Sequence, residues 1–366
     1  RDFCLSRGLG DVYKRQGYTE QHFYDEDVIL PHNLVRHYES GNYAVGHPKA
    51  EVMKIEMDCM FNDNNSTSHT ENIFNTDILP EGIVIDCTAS RRILFWATLT
   101  DKIKSSIIRS EIYLGGKMGL TVIEGKSRNP DIYDMQVLLY RKALDEPHIS
   151  QWLNYKQPED MRYHIGFGCS SDTTILDDGT ISNHASVVPH LINKYQDTEN
   201  GIVCVNYFDR DNLTNNGVGI YEMEPMVFLQ EVDGWAIHIR SSLYQTIHEY
   251  SNEKLENAGI WIGSIEKTIK RITIVDTFIP EDNDRKDNTV EMGKSGVKGY
   301  LKSLRAKTNG LLRYIGEWHT HIAGDASPSQ RDLKTFSETQ PSEDVFLMTI
   351  LSPSNTRNYI IKREKK

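Results

Sequence analysis

One short motif restricts the possible fold and function of this chain more than any other feature. It is the run Glu-Trp-His-Thr-His, which contains His319 and His321. Alternate residues of a β-strand point to the same face, so both imidazoles can reach one ion if this run is a strand. Seven residues separate His321 from Ser329, the last residue of a Ser-Pro-Ser segment that has the composition of a helix start, and Asp332 would lie one turn into that helix. Two histidines and a returning carboxylate, with a fourth position left open, are typical of a catalytic zinc site.

A His-x-His pair on its own is a weak signal, because such pairs also occur on half-exposed strand edges. Ser329 on its own could equally be an ordinary serine in the first turn of a helix. The serine and the aspartate at fixed offsets make the complete pattern much rarer than the pair, so the four residues together favour a metal site.

With these offsets the motif resembles that of the JAB/JAMM (MPN+) metalloisopeptidases, which also have a glutamate upstream on their first strand. Residues 255–263 are similar to the family segment Glu-x-Gly-Gly-x-x-x-Gly, with Ala258 in place of the first glycine. The resemblance implies that Glu256 is the general base for the attacking water and that Ser329 stabilises the oxyanion. It also implies Zn²⁺ as the metal, with ligands from His319, His321 and Asp332. Glu253 competes with Glu256 but has the wrong spacing to the glycines, and a surface role at a helix end is the alternative for Glu256.

The composition predicts a soluble globular protein of two domains, with 366 residues, 38% hydrophobic and 25% charged. No stretch approaches the roughly 20 apolar residues that a membrane span needs, and none has the pattern of a signal peptide. The scattered cysteines form neither a disulfide framework nor a Cys-x-x-Cys pair, so we expect a cytoplasmic location. The net charge of −11 argues against nucleic acid as a partner and favours proteins or small metabolites.

Residues 1–16 fit neither the helical nor the strand period and resemble translated adaptor sequence. We predict that they are a non-native leader, with a disordered natural leader as the alternative. If the leader is an artefact, part of the natural sequence would be missing before residue 17.

After residue 16, strands and helices alternate, which predicts an α/β domain with a mostly parallel sheet over residues 17–225. The predicted strands are 21–25, 83–86, 105–113, 120–124 and 202–207, and the predicted helices are 49–60, 90–100, 132–145 and 181–195. The turn-rich residues 208–235 predict a junction between two domains.

A second domain is predicted over residues 235–366, and the order of its elements matches the α+β, cytidine-deaminase-like fold of a JAB/MPN domain. Its predicted helices are 242–256, 296–308 and 328–338, and its predicted strands are 259–266, 271–278, 312–319, 345–351 and 356–363. The charged run 281–288 is expected to be a solvated loop rather than a docking site.

The first domain carries a second resemblance, through an Asp-x-Asp motif at Asp25 and Asp27, an Asn-Leu-x-Arg motif from Asn33 to Arg36, and Lys49. This order resembles the nucleotide-binding region of the ThiF/MoeB group, a Rossmann-like fold shared with ubiquitin-activating enzymes. The resemblance implies that Asp25 holds the ribose hydroxyls, that Asp27 supports the loop, and that the other three residues contact the phosphates of ATP. Surface ion pairing is the alternative for this set.

Two features predict that this ATP site is incomplete. The first strand and the glycine-rich loop of the family would have to precede residue 17. Residues 84–90 resemble the next strand and turn, but Ala89 stands where the family often has an aspartate for Mg²⁺. Among the cysteines, Cys169 follows Gly166 and Gly168 and is the best candidate for a thioester nucleophile, whereas Cys87 and Cys204 are expected in the core.

Together the two resemblances imply a zinc isopeptidase fused to a truncated adenylating domain, as expected in a bacterial ubiquitin-like conjugation or anti-phage system. The expected partners are the C-terminal tail of a ubiquitin-like protein, a conjugating enzyme and a second copy bound through the first domain, with no membrane partner. Three alternatives stay open: processing of a sulfur-carrier protein for cysteine or cofactor synthesis, a RadC-like DNA-associated protein, and a binding module without catalysis.

Overall fold

The computed structural model of this chain consists of two units, each built around its own main β-sheet. One unit contains Arg1–Ile132 and Lys156–Met223, and the other contains Tyr133–Tyr155 and Glu224–Lys366. Among the described residues, no helix is long and apolar enough to cross a membrane. The structure describes residues 14, 17–31, 34, 41–76, 79, 81–156, 163–164, 172–173, 176, 178–209, 212, 214–338 and 345–362.

The first unit is a mixed α/β structure whose main sheet has the strand order β3-β4-β5-β8-β9, and β1 pairs with β2 in parallel beside it. Numbered along the chain, its strands are β1 (Gln21–Tyr24), β2 (Ser66–His69), β3 (Val84–Asp86), β4 (Ile107–Tyr113), β5 (Met118–Ile123), β6 (Tyr163–His164), β7 (Asp172–Thr173), β8 (Gly201–Asp209) and β9 (Thr214–Met223). Its helices are α1 (Lys49–Phe61), α2 (Arg91–Leu99), α5 (Asp178–Ala185) and α6 (Val187–Tyr195).

The main sheet of this unit is mostly antiparallel, so the prediction of a mostly parallel sheet was wrong. Strands β3 and β4 are parallel with α2 as the crossover, whereas β4–β5, β5–β8 and β8–β9 are antiparallel. The four residues between β4 and β5 are too few for the crossover that a parallel pair needs. β5 is buried throughout, so its largely apolar sequence resembles that of a strand in a parallel sheet.

The chain passes from one unit to the other between Met223 and Glu224, inside the predicted junction at 208–235, but most of these residues form strands rather than turns. Strand β9 pairs with β8 from Asp209 opposite Thr214 to Gly201 opposite Met223. β9 ends the described sheet order, and an edge strand tolerates asparagine and glycine better than a central strand does. Its polar composition therefore concealed a strand.

The second unit has a sheet in the order β10-β11-β13-β12-β16-β17-β18. Its last five strands along the chain were predicted, whereas β10 and β11 were not. Numbered along the chain, its strands are β10 (Met226–Val232), β11 (Trp235–Arg240), β12 (Ala258–Glu266), β13 (Arg271–Phe278), β14 (Asp284–Arg285), β15 (Val290–Glu291), β16 (Arg313–Thr320), β17 (Val345–Leu351) and β18 (Thr356–Lys362). Its helices are α3 (Ile132–Lys142), α4 (Pro147–Leu153), α7 (Ser241–Tyr250), α8 (Val297–Thr308) and α9 (Gln330–Glu338). The core on this sheet includes the buried side chains of Ile237, Trp261, Ile274, Trp318 and Leu347.

A buried carboxylate connects α3 to this sheet, which explains why residues 133–155 group with the second unit although the predicted boundary placed them in the first domain. Asp134, 1% exposed, accepts hydrogen bonds from His238 Nδ1 at 2.6 Å, Arg271 at 3.1 Å and Thr273 Oγ1 at 2.9 Å. Burial opposes the ionised form of Asp134, but the bonded His238 and the charge of Arg271 hold the pKa of this carboxyl below its usual range.

We expect Asp134→Ala to lower the free energy of unfolding of the second unit by about 3 kcal/mol, because it removes the carboxylate that His238, Arg271 and Thr273 share. Urea unfolding followed by tryptophan fluorescence measures the change. Asp233→Asn is the matched control, since this aspartate pairs with Lys362 at the surface, asparagine tolerates its positive φ, and the loss of the pair should cost less than about 1 kcal/mol. Equal losses for the two variants would contradict the role assigned to Asp134.

Candidate functional site

The site lies at one end of two neighbouring strands of the second sheet, where the start of β12 is next to the end of β16. The two strands are antiparallel, with Ala258 opposite His319. Just beyond this pair, Asn257 N donates to Thr320 Oγ1 at 2.8 Å and Thr320 N donates to Asn257 O at 2.9 Å. Glu256 is therefore held next to the end of β16, although 63 residues separate Asn257 from Thr320.

The structure brings together the three predicted metal ligands. Asp332 Oδ1 lies 3.2 Å from His319 Nε2, and Asp332 Oδ2 lies 3.5 Å from His321 Nε2. The two Nε2 atoms are 3.3 Å apart, and one ligand atom from each residue falls within 4.8 Å of the others. Two imidazole nitrogens and one carboxylate oxygen are a donor set that suits Zn²⁺, so these residues could hold that ion.

Hydrogen bonds around the histidines orient the ligand atoms. His321 Nδ1 donates to the carbonyl oxygen of Asp325 at 3.2 Å, which fixes the ring and turns Nε2 toward Asp332. The bond with Asp332 raises the pKa of His321. Burial opposes ionisation of Asp332, but its bonds with His319 and His321 hold the pKa of this carboxyl far below its usual range. The carboxylate is therefore ionised, as a metal ligand must be.

Ser329 and Asp332 bind each other across the first turn of α9. Ser329 N donates to Asp332 Oδ2 at 2.7 Å, and Asp332 N donates to Ser329 Oγ at 3.2 Å. This reciprocal pair is a capping box, in which each side chain satisfies a backbone N–H that the helix leaves unpaired. Ser329 is thus the helix-start serine that the sequence offered as an alternative. Its hydroxyl accepts the bond from Asp332 N and keeps its own hydrogen for donation to a ligand.

Glu256 is almost fully buried, with 6% of its surface exposed. Its backbone N donates to Lys286 O at 2.8 Å, and Arg285 Nε donates to its carbonyl oxygen at 3.0 Å. Burial raises the pKa of the Glu256 carboxyl, although the charges of His321 and His319 act in the opposite direction. A carboxylate in such surroundings holds a proton more readily than an exposed one, as a general base must. The competing Glu253 is exposed and pairs with Arg285 instead.

The charged run 281–288 is more ordered than the predicted solvated loop. Strand β14 pairs with β15 through Asp284 opposite Glu291 and Arg285 opposite Val290, and we call residues 284–291 the hairpin. Through Arg285 and Lys286 the hairpin binds the backbone of the Glu256 segment.

The hairpin also contacts α9, the helix that carries Asp332. Arg331, which precedes Asp332 in α9, donates to Thr289 Oγ1 at 3.1 Å and to Glu291 at 2.7 Å. The hairpin thus connects the predicted base with the helix that carries a predicted ligand. Sequence reasoning missed Arg285 and Arg331, because a mixed run of charges has no periodicity that distinguishes a structural contact from a solvated loop.

The described residues of the predicted nucleotide site lie together in the first unit. Asp27 N donates to Asp25 Oδ1 at 2.9 Å, and Lys49 Nζ donates to Asp27 Oδ2 at 2.9 Å. This ion pair fits the surface-pairing alternative as well as a nucleotide site, so their nucleotide-binding role stays a prediction.

Three predicted residues, Asn33, Arg36 and Cys169, lie outside the described residues. The other two cysteines of the prediction, Cys87 and Cys204, are buried as expected. Burial raises the pKa of the Cys204 thiol to about 11, which leaves it a poor nucleophile at neutral pH.

Comparison with known proteins finds the Prok-JAB family, described as prokaryotic homologs of the JAB domain, at residues 240–360. Two curated relatives are CD-NTase/cGAS isopeptidases. The one from Enterobacter hormaechei subsp. hoffmannii is 31% identical over 128 residues, which cover 33% of this chain and 68% of that protein. The one from Escherichia coli is 25% identical over 155 residues, which cover 39% of this chain and 97% of that protein.

Solved structures of E. coli MccB are more distant matches. The crystal structure with succinimide is 16% identical with a TM-score of 0.37, and the match covers 60% of each chain. The crystal structure with ATP is 14% identical with a TM-score of 0.36, again over 60% of each chain. The chain thus spans about 60% of the length of these proteins, and a likeness at this level carries no conclusion about activity.

We expect the purified chain to bind one Zn²⁺, because three donor atoms already lie within reach of one ion. His319→Ala and Asp332→Ala should lose the metal, whereas Glu256→Gln should keep it, since the predicted base is not a ligand. Plasma mass spectrometry after dialysis measures the zinc content, and circular dichroism checks that each variant is folded. Full zinc content in a folded Asp332→Ala variant would contradict the ligand assignment.

Proposed function

This chain belongs to the family of the CD-NTase/cGAS isopeptidases, and we propose that its second unit is a zinc-dependent isopeptidase that removes or matures a ubiquitin-like protein. One observation carries the proposal. A buried glutamate, two imidazoles and an ionised carboxylate, contributed by two distant stretches of the chain, meet at a single edge of the sheet. The JAB domain at 240–360 and the relatives named isopeptidases support a hydrolase of this type.

The donor set fits the implied metal. His319, His321 and Asp332 would hold the ion, with hydrogen bonds from the protein already orienting His321 and Asp332. When bound, Zn²⁺ would polarise the scissile carbonyl and lower the pKa of a water molecule.

The remaining chemistry belongs to residues of the chain itself. Glu256 accepts a proton from the attacking water as the new carbon–oxygen bond forms. The hydroxyl of Ser329 donates a hydrogen bond to the carbonyl oxygen as negative charge develops on it. Glu256 then gives the proton to the leaving amine as the carbon–nitrogen bond breaks. The products are a free carboxylate on the modifier and a free lysine on its target, so the step needs water and no other co-reactant.

The proposed substrate is the C-terminal tail of a ubiquitin-like protein, joined to a lysine of its target or to its own precursor extension. The names of the relatives favour a CD-NTase or cGAS-like enzyme as the target. For the first unit we propose ATP-dependent activation of the same tail with Mg²⁺, because the order of Asp25, Asp27 and Lys49 resembles the nucleotide-binding region of the ThiF/MoeB group.

We expect the chain to cleave a C-terminal extension from a ubiquitin-like protein, and Glu256→Gln to lower kcat by about 100-fold or more, because it removes the proton acceptor. Gel analysis of cleavage over time gives the rates. A zinc chelator should abolish the activity of the wild type, and added Zn²⁺ should restore it.

Glu253→Gln is the matched control, since Glu253 is the other glutamate candidate in the same segment and is exposed. It should retain most of the activity. Equal cleavage by the wild type, by Glu256→Gln and by the chelated enzyme would refute the proposed metalloprotease.

A further inference from the structure

One exposed face of α8 carries three cations in a row, Lys298, Lys302 and Arg305. Their spacing of four and three residues places them on the same side of the helix, roughly 100° around the axis from the buried Leu304 and Thr308. We call these three residues the α8 basic face. The chain has a net charge of −11, yet residues 292–316 contain no aspartate or glutamate.

The basic face is not neutralised within the described part of the chain. None of its three cations forms an ion pair there, whereas Arg285, Arg331 and Lys362 of the same unit do. Asp282, near the helix start, is occupied by the backbone N–H groups of Lys294 and Ser295. Like charges at this spacing destabilise a helix by a few tenths of a kcal/mol. A binding role would explain why α8 carries them despite this loss of stability.

The start of α8 is connected to the candidate site. Gly293 N donates to Asn283 Oδ1 at 2.9 Å, and Asn283 Nδ2 donates to Ala258 O at 2.8 Å. Ala258 lies two residues after Glu256 and opposite His319. The segment that leads into α8 is therefore attached beside the site, and the basic face, which starts five residues after Gly293, extends for about 10 Å along the helix at 1.5 Å per residue.

We propose that the α8 basic face binds an acidic surface on the folded body of the protein whose tail enters the site, and this rests on the proposed isopeptidase function. Charge complementarity identifies an acidic partner. A protein fits better than a nucleic acid, because three cations neutralise few phosphates. The one aromatic residue of α8, Tyr300, is half-buried and stacks on Phe278, so it offers no surface to a base.

The test compares two substrates, an acidic ubiquitin-like domain with a C-terminal extension and a short peptide that spans the same cleavage point. Lys298→Glu with Lys302→Glu should raise KM for the folded substrate about tenfold and leave kcat unchanged. The peptide should be cleaved with unchanged kcat/KM, because it lacks the folded body. High salt should reduce the difference between wild type and variant on the folded substrate.

Lys267→Glu with Lys270→Glu is the matched control, because it reverses the same number of exposed charges at the turn between β12 and β13, at the other end of β12 from Glu256. It should leave both substrates unaffected. An equal rise in KM for this control, an equal loss on the peptide, or no change on the folded substrate would each overturn the proposal. Loss of binding to a single-stranded oligonucleotide with unchanged KM would assign the face to nucleic acid and overturn it as well.

If the wild type cleaves neither substrate, the proposed isopeptidase function is wrong, but this result does not test the basic face. Fluorescence anisotropy of the labelled ubiquitin-like domain then decides about the basic face. Weaker binding by the Lys298→Glu, Lys302→Glu variant than by the wild type supports the proposal, and binding of equal strength by both refutes it.

Discussion

The antiparallel pairing of β12 with β16 is the contact on which the candidate site depends. It sets Ala258 opposite His319 and so brings Glu256 to the predicted ligands. Trp318, between Glu317 and His319, is 1% exposed and donates to Thr277 Oγ1 at 2.8 Å. Because successive side chains of a strand alternate, a buried Trp318 directs both histidines to the opposite face. A slip of one residue would turn the histidines into the core, so the burial of tryptophan protects the register of the site.

At the start of α9, the same carboxylate caps the helix and lies at the proposed metal site. The carboxylate of Asp332 accepts from Ser329 N and lies beside both histidines. The bond that begins the helix therefore also orients a predicted metal ligand, and the cost of positioning the carboxylate is shared with helix formation. The hairpin adds a second constraint, because it holds the Glu256 segment on one side and Arg331 of α9 on the other.

The two units illustrate how far local patterns predict a fold. In the second unit, the predicted helices and strands agree with observed ones to within a few residues, except that α7 ends at Tyr250 rather than near 256. The strands β10, β11, β14 and β15 were not predicted. In the first unit, the helix and strand positions were largely right but the direction of the strands was wrong. An apolar run indicates that a strand is buried. Whether two strands are parallel or antiparallel depends instead on the length of their connection and on which strands pair.

The sequence by itself determined the strand that carries His319, with His321 directly after its end, and the helix start at Ser329, because these depend on the strand period and on contacts within one helical turn. Its resemblance to a family singled out Glu256, which periodicity alone would not have done. Tertiary structure decided the register of β12 against β16, the attachment of α3 through Asp134, the ordered hairpin and the antiparallel first sheet. These features rest on contacts between residues far apart in the chain, and the residues concerned have no local pattern that distinguishes them from surface polar groups.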